Sequence, residues 1–257
     1  MSSDLFDLTD KIALVTGGSR GLGREMALAF ADAGADVIVA SRKLESCERV
    51  VAEIEARGRA ALAHVCHVGH WDELDALVDA AYARFNRVDI LVNNAGMSPV
   101  YPSLDQVSEE LFDKVVAINL KAPFRLMSLV GKRMAEHAGG SIINISSIAA
   151  VTPSPSAEPY GAAKAGLNTL TRSFAHAYAP TVRVNSIIAG PFLTDISRAW
   201  DMEQFNARAK TNIPLRRAGE PNEIVGAALY FASAASSYTT GSVLAVDGGS
   251  QGQRSLE

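Results

Sequence analysis

Cysteine is nearly absent. Cys47 and Cys66 are the two in 257 residues, which excludes a disulfide framework and fits a reducing compartment. Long hydrophobic runs are absent too, and none approaches the roughly 18 residues that a bilayer span takes. Positive charge is not in excess: 24 Lys and Arg against 28 Asp and Glu leave a net charge of −4. Basic pairs such as Arg57 with Arg59, or Lys132 with Arg133, make no dense stripe. Proteins that bind nucleic acid by neutralising phosphates carry such a stripe, so neither a nucleic acid nor a membrane is expected as a partner. The first ten residues hold three acids and no base, unlike a signal peptide. No Pro/Ser/Gly-rich linker, internal repeat or low-complexity tract divides the chain. These exclusions leave a cytoplasmic protein with a single domain over residues 1–257 and tails at 1–8 and 250–257. With 48% hydrophobic and 20% charged residues, the composition is globular. The length suffices to bury a large core without staples.

Short apolar, β-branched runs at residues 12–16, 36–41, 61–66, 90–93, 141–147, 183–189 and 243–246 read as strands. Each is apolar on both faces, as strands covered by helices on both sides should be. Helical spacing fills the gaps. It is clearest in Trp71, Leu74, Leu77, Val78, Ala81, Tyr82 and Phe85, and it recurs at 22–33, 44–56, 111–134, 162–178 and 223–232. This alternation predicts an α/β fold, a doubly wound seven-stranded parallel sheet with helices on both faces. Two stretches break it: 149–159, with three prolines, and 191–214. Ligands of open α/β sheets bind beyond the carboxyl ends of strands. Both stretches follow strands, so both are candidate substrate-facing loops.

The first strand runs into Thr16-Gly17-Gly18-Ser19-Arg20-Gly21-Leu22-Gly23 and then a helix. A pyrophosphate needs close backbone approach and bare N–H groups at a helix N-terminus, and glycine permits both. The spacing is G-x-x-x-G-x-G rather than G-x-G-x-x-G. The second strand ends near Ser41 and Arg42, where an acid would hold the adenosine ribose hydroxyls and favour NAD. No acid stands there. Arg42, with Arg20 from the glycine loop, can instead grip a 2′-phosphate. Asn93-Asn94-Ala95-Gly96 follows the fourth strand, with small residues for close approach and asparagines able to tie strands together. Tyr160 and Lys164, four apart near the start of a helix, share a face. An ammonium near a phenol favours the phenolate and lowers its pKa, which makes Tyr160 usable as acid or base toward a carbonyl/alcohol pair. Ser147, at the end of the fifth strand, is placed to hydrogen-bond the reacting oxygen. His64, His67, His70 and Cys66 tempt a metal reading, but 64 and 67 fall on opposite faces of a strand end, and no metal is expected.

In order and spacing, T-G-x-x-x-G-x-G, N-N-A-G, Ser147, Y-x-x-x-K, Val184-Asn185 and Val246-Asp247-Gly248-Gly249 resemble the short-chain dehydrogenase/reductase family, from Leu8 to about Gly249. The resemblance implies a seven-stranded Rossmann sheet, a nicotinamide coenzyme and a catalytic set of Ser147, Tyr160 and Lys164. Asn119 matches the asparagine that holds a water linking the lysine to solvent. Lys164 would also hold the nicotinamide ribose, and Thr194 would touch the coenzyme. Together the residue reading and the resemblance place coenzyme contacts at Gly17, Ser19, Arg20, Gly21, Leu22, Gly23, Ser41, Arg42, His67, Val68, Asn94, Ala95, Gly96, Tyr160, Lys164, Gly190, Phe192 and Thr194. NADP(H) is the expected coenzyme, with NAD(H) as the alternative.

Ser41-Arg42-Lys43, Cys66-His67-Val68-Gly69, and the run Ser146 to Ala150 followed by Pro153-Ser154-Pro155 look most like NADP-dependent carbonyl reductases that also reduce retinal. Two departures stand out. His67-Val68 replaces the common Asp-Val, whose aspartate meets the adenine amino group. Ala189-Gly190-Pro191 replaces the usual Pro-Gly. A hydrophobic ketone or aldehyde is the expected substrate, since Tyr101, Phe192, Leu193, Ile196, Trp200, Met202 and Phe205 lean apolar. Alternatives on the same site are a 3-oxoacyl-[acyl-carrier-protein] reductase and a sugar-acid dehydrogenase. A non-enzymatic nucleotide sensor would be marked by loss of Tyr160 or Lys164, and both are present. Relatives pair the long helices flanking the catalytic serine, which implies a homotetramer. Leu120, Phe124, Met127, Leu167, Leu170 and Phe174 offer apolar faces for it.

Overall fold

The computed structural model describes residues 4–152, 155, 157–195, 197 and 201–252. Strands β1 (Ile12–Thr16), β2 (Asp36–Ser41), β3 (Ala61–Val65), β4 (Ile90–Asn93), β5 (Gly140–Ser147), β6 (Val182–Ala189) and β7 (Val243–Val246) form one sheet. All pairs are parallel and the order is β3-β2-β1-β4-β5-β6-β7. Eight α-helices are described: α1 (Gly21–Asp32), α2 (Leu44–Glu55), α3 (Trp71–Phe85), α4 (Glu109–Val116), α5 (Ala122–Ala135), α6 (Glu158–Ala177), α7 (Met202–Asn212) and α8 (Val225–Ala232). The chain is a single-domain Rossmann-like fold.

The all-apolar strands explain the layering. In β1 every residue is buried. Ala13 and Val15 pack with Met26 and Phe30 of α1 and Phe231 of α8, while Ile12 and Leu14 pack with Leu77 of α3 and Leu126 of α5. Alternating side chains thus feed a core on each face. The edge strands depart from the both-faces expectation. β3 is half-buried over most of its length, and β7 leaves Leu244 39% exposed, because an edge strand has a neighbour on one side only.

β1 to β3 are laid down in one direction from the centre and β4 to β7 in the other, so a crevice opens at the carboxyl ends of β1 and β4. Register brings the ends level: Thr16 pairs with Ala40, Val15 with Val92, and Ser147 with Ala189. Buried asparagines lock the centre. Asn93 Nδ2 donates to Asn144 Oδ1 at 2.8 Å, and Asn144 Nδ2 donates to Thr171 Oγ1 at 2.9 Å. Asn94 ties β4 to β1 by donating to the Thr16 carbonyl at 2.9 Å. The strand-tying role read from Asn-Asn is what these side chains do.

Several boundaries differ from the periodicity. The helix expected over 111–134 is broken by a π-turn, Ala117–Lys121. Pro123 has no N–H to give the Asn119 carbonyl four residues earlier, so the turn widens. Helix α6 begins at Glu158 rather than 162, because Pro159 is tolerated in a first turn. Strand β3 stops at Val65, and β5 and β6 each start one residue early. The stretch 191–214 contains α7, a helix with little apolar periodicity. It is started by a cap instead: Asp201 Oδ1 accepts the Gln204 N–H at 3.0 Å. Gly219 donates to the Pro191 carbonyl and accepts from Leu193, both at 2.9 Å, pinning the first part of that stretch.

Candidate active site

Lys164 projects from α6 toward the end of β5. Its Nζ is buried and donates to the Ile145 carbonyl at 2.8 Å. Burial alone pushes its pKa down to about 8 from the usual 10.5. One turn earlier, the Tyr160 ring lies under that ammonium, with its centroid 5.8 Å from Nζ. Ser147 stands close enough to the Tyr160 hydroxyl to pull its pKa down. Ser147 Oγ also accepts the Ala149 N–H at 3.2 Å, which turns the chain away from β5.

The expected depression of the Tyr160 pKa is not what this geometry gives. Burial, the largest influence, raises it above 10, and Ser147 lowers it only in part. Lys164 spends an N–H on the Ile145 carbonyl. Both groups are therefore pushed toward neutrality, a protonated phenol above a lysine that titrates near pH 8.

Asn119 sits in the π-turn and is fully buried. Its Nδ2 donates to the Met97 and Val115 carbonyls, both at 2.9 Å, and its Oδ1 accepts the Met97 N–H at 3.3 Å. It therefore joins the segment after β4 to α4. Gly96 occupies the gap between Asn119 and Lys164. A Cβ there would lie 3.0 Å from Asn119 Oδ1 and 3.6 Å from Lys164 Nζ.

The glycine loop meets the physical requirements of a pyrophosphate site. Gly17 and Gly21 have φ of 64° and 52°, the region glycine favours. Gly23 and Leu22 open α1, with Gly23 packed on the Gly17 carbonyl. The first turn of α1 carries no acid, and no side chain caps its N–H groups. Bare donors at a positive helix end are what an anion needs. Beyond Gly21 stands Thr194, whose Cγ2 would be 3.4 Å from a Cβ at that glycine. Ser19 Oγ donates to Ser41 Oγ at 2.9 Å, so the loop and the end of β2 meet. Arg42 is exposed and forms no ion pair among the described residues.

The Arg20 guanidinium lies 3.8 Å from the carboxylate of Asp195, the residue after Thr194. Sequence reading missed Asp195, although its position next to Thr194 is a signal that could have raised it. Sequence reading also had no means to find the Ile145 carbonyl that holds Lys164. Gly190 donates to the Val246 carbonyl at 3.0 Å, and Phe192 is buried beside Gly219. Ala95 and Asn94 donate N–H groups to Thr16 Oγ1 at 3.2 and 3.1 Å. His67 and Val68 follow β3.

Beside Tyr160, the side chains of Pro99, Tyr101, Leu111, Val115, Ala157 and Pro159 close around a small apolar gap with no room for water. Of the residues expected to face substrate, Tyr101 and Phe192 are buried. The Tyr101 hydroxyl is bound to the Glu158 carboxylate and accepts the Glu158 N–H at 2.9 Å. Met202 is exposed and Phe205 half-buried. Ile196, Trp200, Pro153 and Ser154 lie outside the described residues. Of the apolar faces read as interface, Met127 and Leu167 belong to the core, whereas Phe124 stays 41% exposed, edge-on to Phe174 at 5.6 Å. Among the described residues no cluster of three or more metal-ligating side chains occurs, and no helix is long and apolar enough to cross a membrane.

This is the fold and residue set of a dinucleotide-dependent oxidoreductase, and known proteins place it further. A family model described as enoyl-(acyl carrier protein) reductase matches residues 17–251. Dehydrogenase/reductase SDR family member 4 of Homo sapiens is 37% identical over 244 residues, covering 94% of this chain and 88% of that one. A gluconate 5-dehydrogenase of Burkholderia cenocepacia J2315, solved with NADP and tartrate, superposes with a TM-score of 0.94 at 32% identity, covering 99% and 100% of the two chains. A 7α-hydroxysteroid dehydrogenase, solved with NADH and 7-oxo glycochenodeoxycholic acid, gives 0.92 at 35% identity, covering 97% of each. The chain belongs to the short-chain dehydrogenase/reductase family of oxidoreductases.

Proposed function

We propose that the chain interconverts a carbonyl and an alcohol with NADP(H) as preferred coenzyme, acting on a hydrophobic ketone or aldehyde. One observation carries the reading. A buried lysine, anchored on the Ile145 carbonyl, lies near the ring of a half-buried tyrosine that Ser147 influences. The nicotinamide, when bound, supplies or accepts the hydride. Ser147 holds the substrate oxygen. Tyr160, kept protonated by burial, gives its proton to that oxygen as the alcohol forms and takes it back in reverse. Lys164, with N–H groups beyond the one given to Ile145, holds ribose hydroxyls and stabilises the phenolate left on Tyr160. Asn119 keeps the Met97 segment against α4, beside the ammonium.

Coenzyme contacts are assigned to the glycine loop from Gly17 to Gly23, to Ser41 and Arg42, to Asn94, Ala95 and Gly96, and to Gly190, Phe192 and Thr194. Preference for NADP(H) is supported by the absence of an acid at Ser41 or Arg42 and by an Arg42 guanidinium that no carboxylate among the described residues holds. Arg20 exchanges Asp195 for the phosphate. The apolar lean of Leu193, Met202 and Phe205 after β6 supports a hydrophobic substrate over a sugar acid. Exposed Phe124 against Phe174 supports helix pairing between copies, and we assign a homotetramer. Light scattering should then give four times the 27.2 kDa chain mass; a monomer mass at micromolar concentration removes it.

The deciding experiment is a turnover screen of ketones, quinones, retinoids, acyl thioesters and sugar acids with both coenzymes. Turnover confined to sugar acids or acyl thioesters would overturn the substrate class. Tight NADPH binding without turnover of any of them would overturn the enzyme reading.

A further inference from the structure

The segment after β4 reaches the helix that carries Tyr160 through a contact that the chemistry above does not use. Tyr101 is buried. Its ring lines the small apolar gap with Leu111 and Val115 of α4 and Pro159 of α6. Its hydroxyl, 57 residues away in sequence, meets the start of α6. It accepts the Glu158 N–H at 2.9 Å and donates to the Glu158 carboxylate.

The start of α6 needs such a partner. The N-cap position is Ala157, which has no side-chain oxygen, and no side chain of the helix takes that role. Pro159 in the first turn has no N–H to offer. First-turn N–H groups lack intrahelical acceptors, and helix ends fray where nothing holds them. A hydroxyl from outside the helix does here what an N-cap side chain ordinarily does.

Tyr160 sits in that turn, and its surroundings leave little slack. A Cβ at Gly161 would lie 2.8 Å from the Ala149 carbonyl oxygen, so α6 packs backbone to backbone on the turn that follows Ser147. Lys164, one turn later, is tied to the Ile145 carbonyl. The segment that brings Tyr101 is itself held, because Asn119 takes both the N–H and the carbonyl of Met97. Asn119, Met97, Tyr101 and Glu158 thus form a brace from the π-turn to the start of α6. Tyr101 keeps its own proton: burial, then the hydrogen bond to Glu158, hold its pKa above the usual 10.

We propose that Tyr101 is a positioning residue, which caps α6 from the segment after β4 and so holds Tyr160 at the distance from Ser147 that proton transfer needs. The inference rests on the proposed role of Tyr160 as proton donor.

Tyr101→Phe keeps the ring in the gap and removes only the hydroxyl. The probe is the carbonyl compound that wild type reduces fastest in the screen above. Small misplacements of a reacting group are costly, so kcat should fall about tenfold. KM and calorimetric coenzyme affinity should stay within about twofold. The solvent deuterium isotope effect on kcat should rise, because the step that slows is the one that moves a proton. Tyr230→Phe is the matched control. It removes a hydroxyl bonded to Thr239 Oγ1 at 2.8 Å, ahead of β7 at the opposite end of the sheet from the crevice, and should change neither kcat nor the isotope effect. Glu158→Gln keeps an acceptor for the Tyr101 hydroxyl and should hold kcat within about twofold. Hydrogen exchange should show the first turn of α6 losing protection in Tyr101→Phe and not in Tyr230→Phe. Wild-type kcat and isotope effect in Tyr101→Phe would overturn the inference and leave the proposed function standing. A raised KM at unchanged kcat would mean that Tyr101 meets the substrate instead. An equal fall in Tyr230→Phe would reduce the effect to lost stability and overturn the positioning role. If Tyr101→Phe does not fold, Glu158→Ala decides: a raised isotope effect supports the brace, and wild-type values overturn it. No turnover by wild type, or full turnover by Tyr160→Phe, would sink the proposed function and this inference together.

Discussion

On the β1–β3 side of the crevice, the groups that face a coenzyme are backbone or exposed. They comprise the uncapped first turn of α1, the two positive-φ glycines, an Arg42 in solvent and an Arg20 whose side chain is 62% exposed. On the β4–β6 side two of the proton-handling groups, Asn119 and Lys164, are buried and already bonded. Asn119 is fully buried with its amide bonded to two carbonyls, and Lys164, 3% exposed, is bonded to a third. The contrast follows from what each side handles. A phosphate arrives with its own charge and needs donors left open. A proton transfer needs groups whose proton affinity is set by exclusion of water. Changes on the β4–β6 side should therefore act on rate, and changes on the β1–β3 side on which coenzyme binds.

The strongest test of that division is Tyr160→Phe. The ring keeps its shape and only the transferable proton is lost, so kcat should fall by about 10²–10⁴-fold with coenzyme affinity nearly unchanged. Steady-state kinetics beside calorimetry would show it, and near-wild-type turnover would remove Tyr160 from the mechanism.

Next in size is Ser41→Asp with Arg42→Leu. The change adds repulsion and removes attraction for a 2′-phosphate. Two charge-assisted contacts correspond to roughly a 10- to 1000-fold preference, and the double change should reverse it in kcat/KM. Salt should weaken the wild-type preference, because the site is exposed. A wild-type enzyme faster with NADH would mean that Arg42 is simply solvated.

Lys164→Met crosses the division, because Lys164 is assigned to both coenzyme and proton. Coenzyme affinity should drop about tenfold along with turnover, and unchanged affinity would remove the ribose role. A pH signature accompanies it. The folded pKa of about 8 lies below the ordinary 10.5, so between these values the unfolded chain binds the extra proton. Stability contributed at this residue then rises with pH. Above pH 10 the raised Tyr160 pKa works the other way, which leaves pH 8–10 as the clean window. In melting curves of the coenzyme-free protein, wild type should gain on Lys164→Met across that window. Parallel curves would mean that the lysine is not neutralised by burial.

The smallest effect belongs to Asp195→Asn. Releasing Arg20 from an exposed ion pair, which is individually weak, should tighten NADPH by about twofold and leave NADH alone. An equal change for both coenzymes would show that Asp195 acts on the loop after β6 rather than through Arg20.

Much of the fold was legible in sequence. The seven apolar runs and the helices between them lie within a residue or a few of their observed bounds, because burial on both faces of a parallel sheet leaves a continuous apolar signature. The exceptions share a cause. The π-turn and α7 are set by single polar or backbone features, Pro123 in one case and the Asp201 cap in the other, which periodicity does not register. The candidate site was legible as a set of positions. Its pairings were not: Met127 and Leu167 looked like interface and are core, Tyr101 looked substrate-facing and is tied to Glu158, and Arg20 faces Asp195.

By itself, then, the sequence determined the alternation that makes the sheet, the glycine spacing that opens α1, the absence of an acid after β2, and the four-residue step that puts Tyr160 and Lys164 on one face of α6. These are local properties of chain geometry and residue type. Only the tertiary structure decided that Lys164 is anchored on Ile145 and depressed to about 8, and that Tyr160 is pushed up rather than down. Proton affinity and pairing depend on which groups share a water-excluded space, and that sharing is made by segments far apart in the chain.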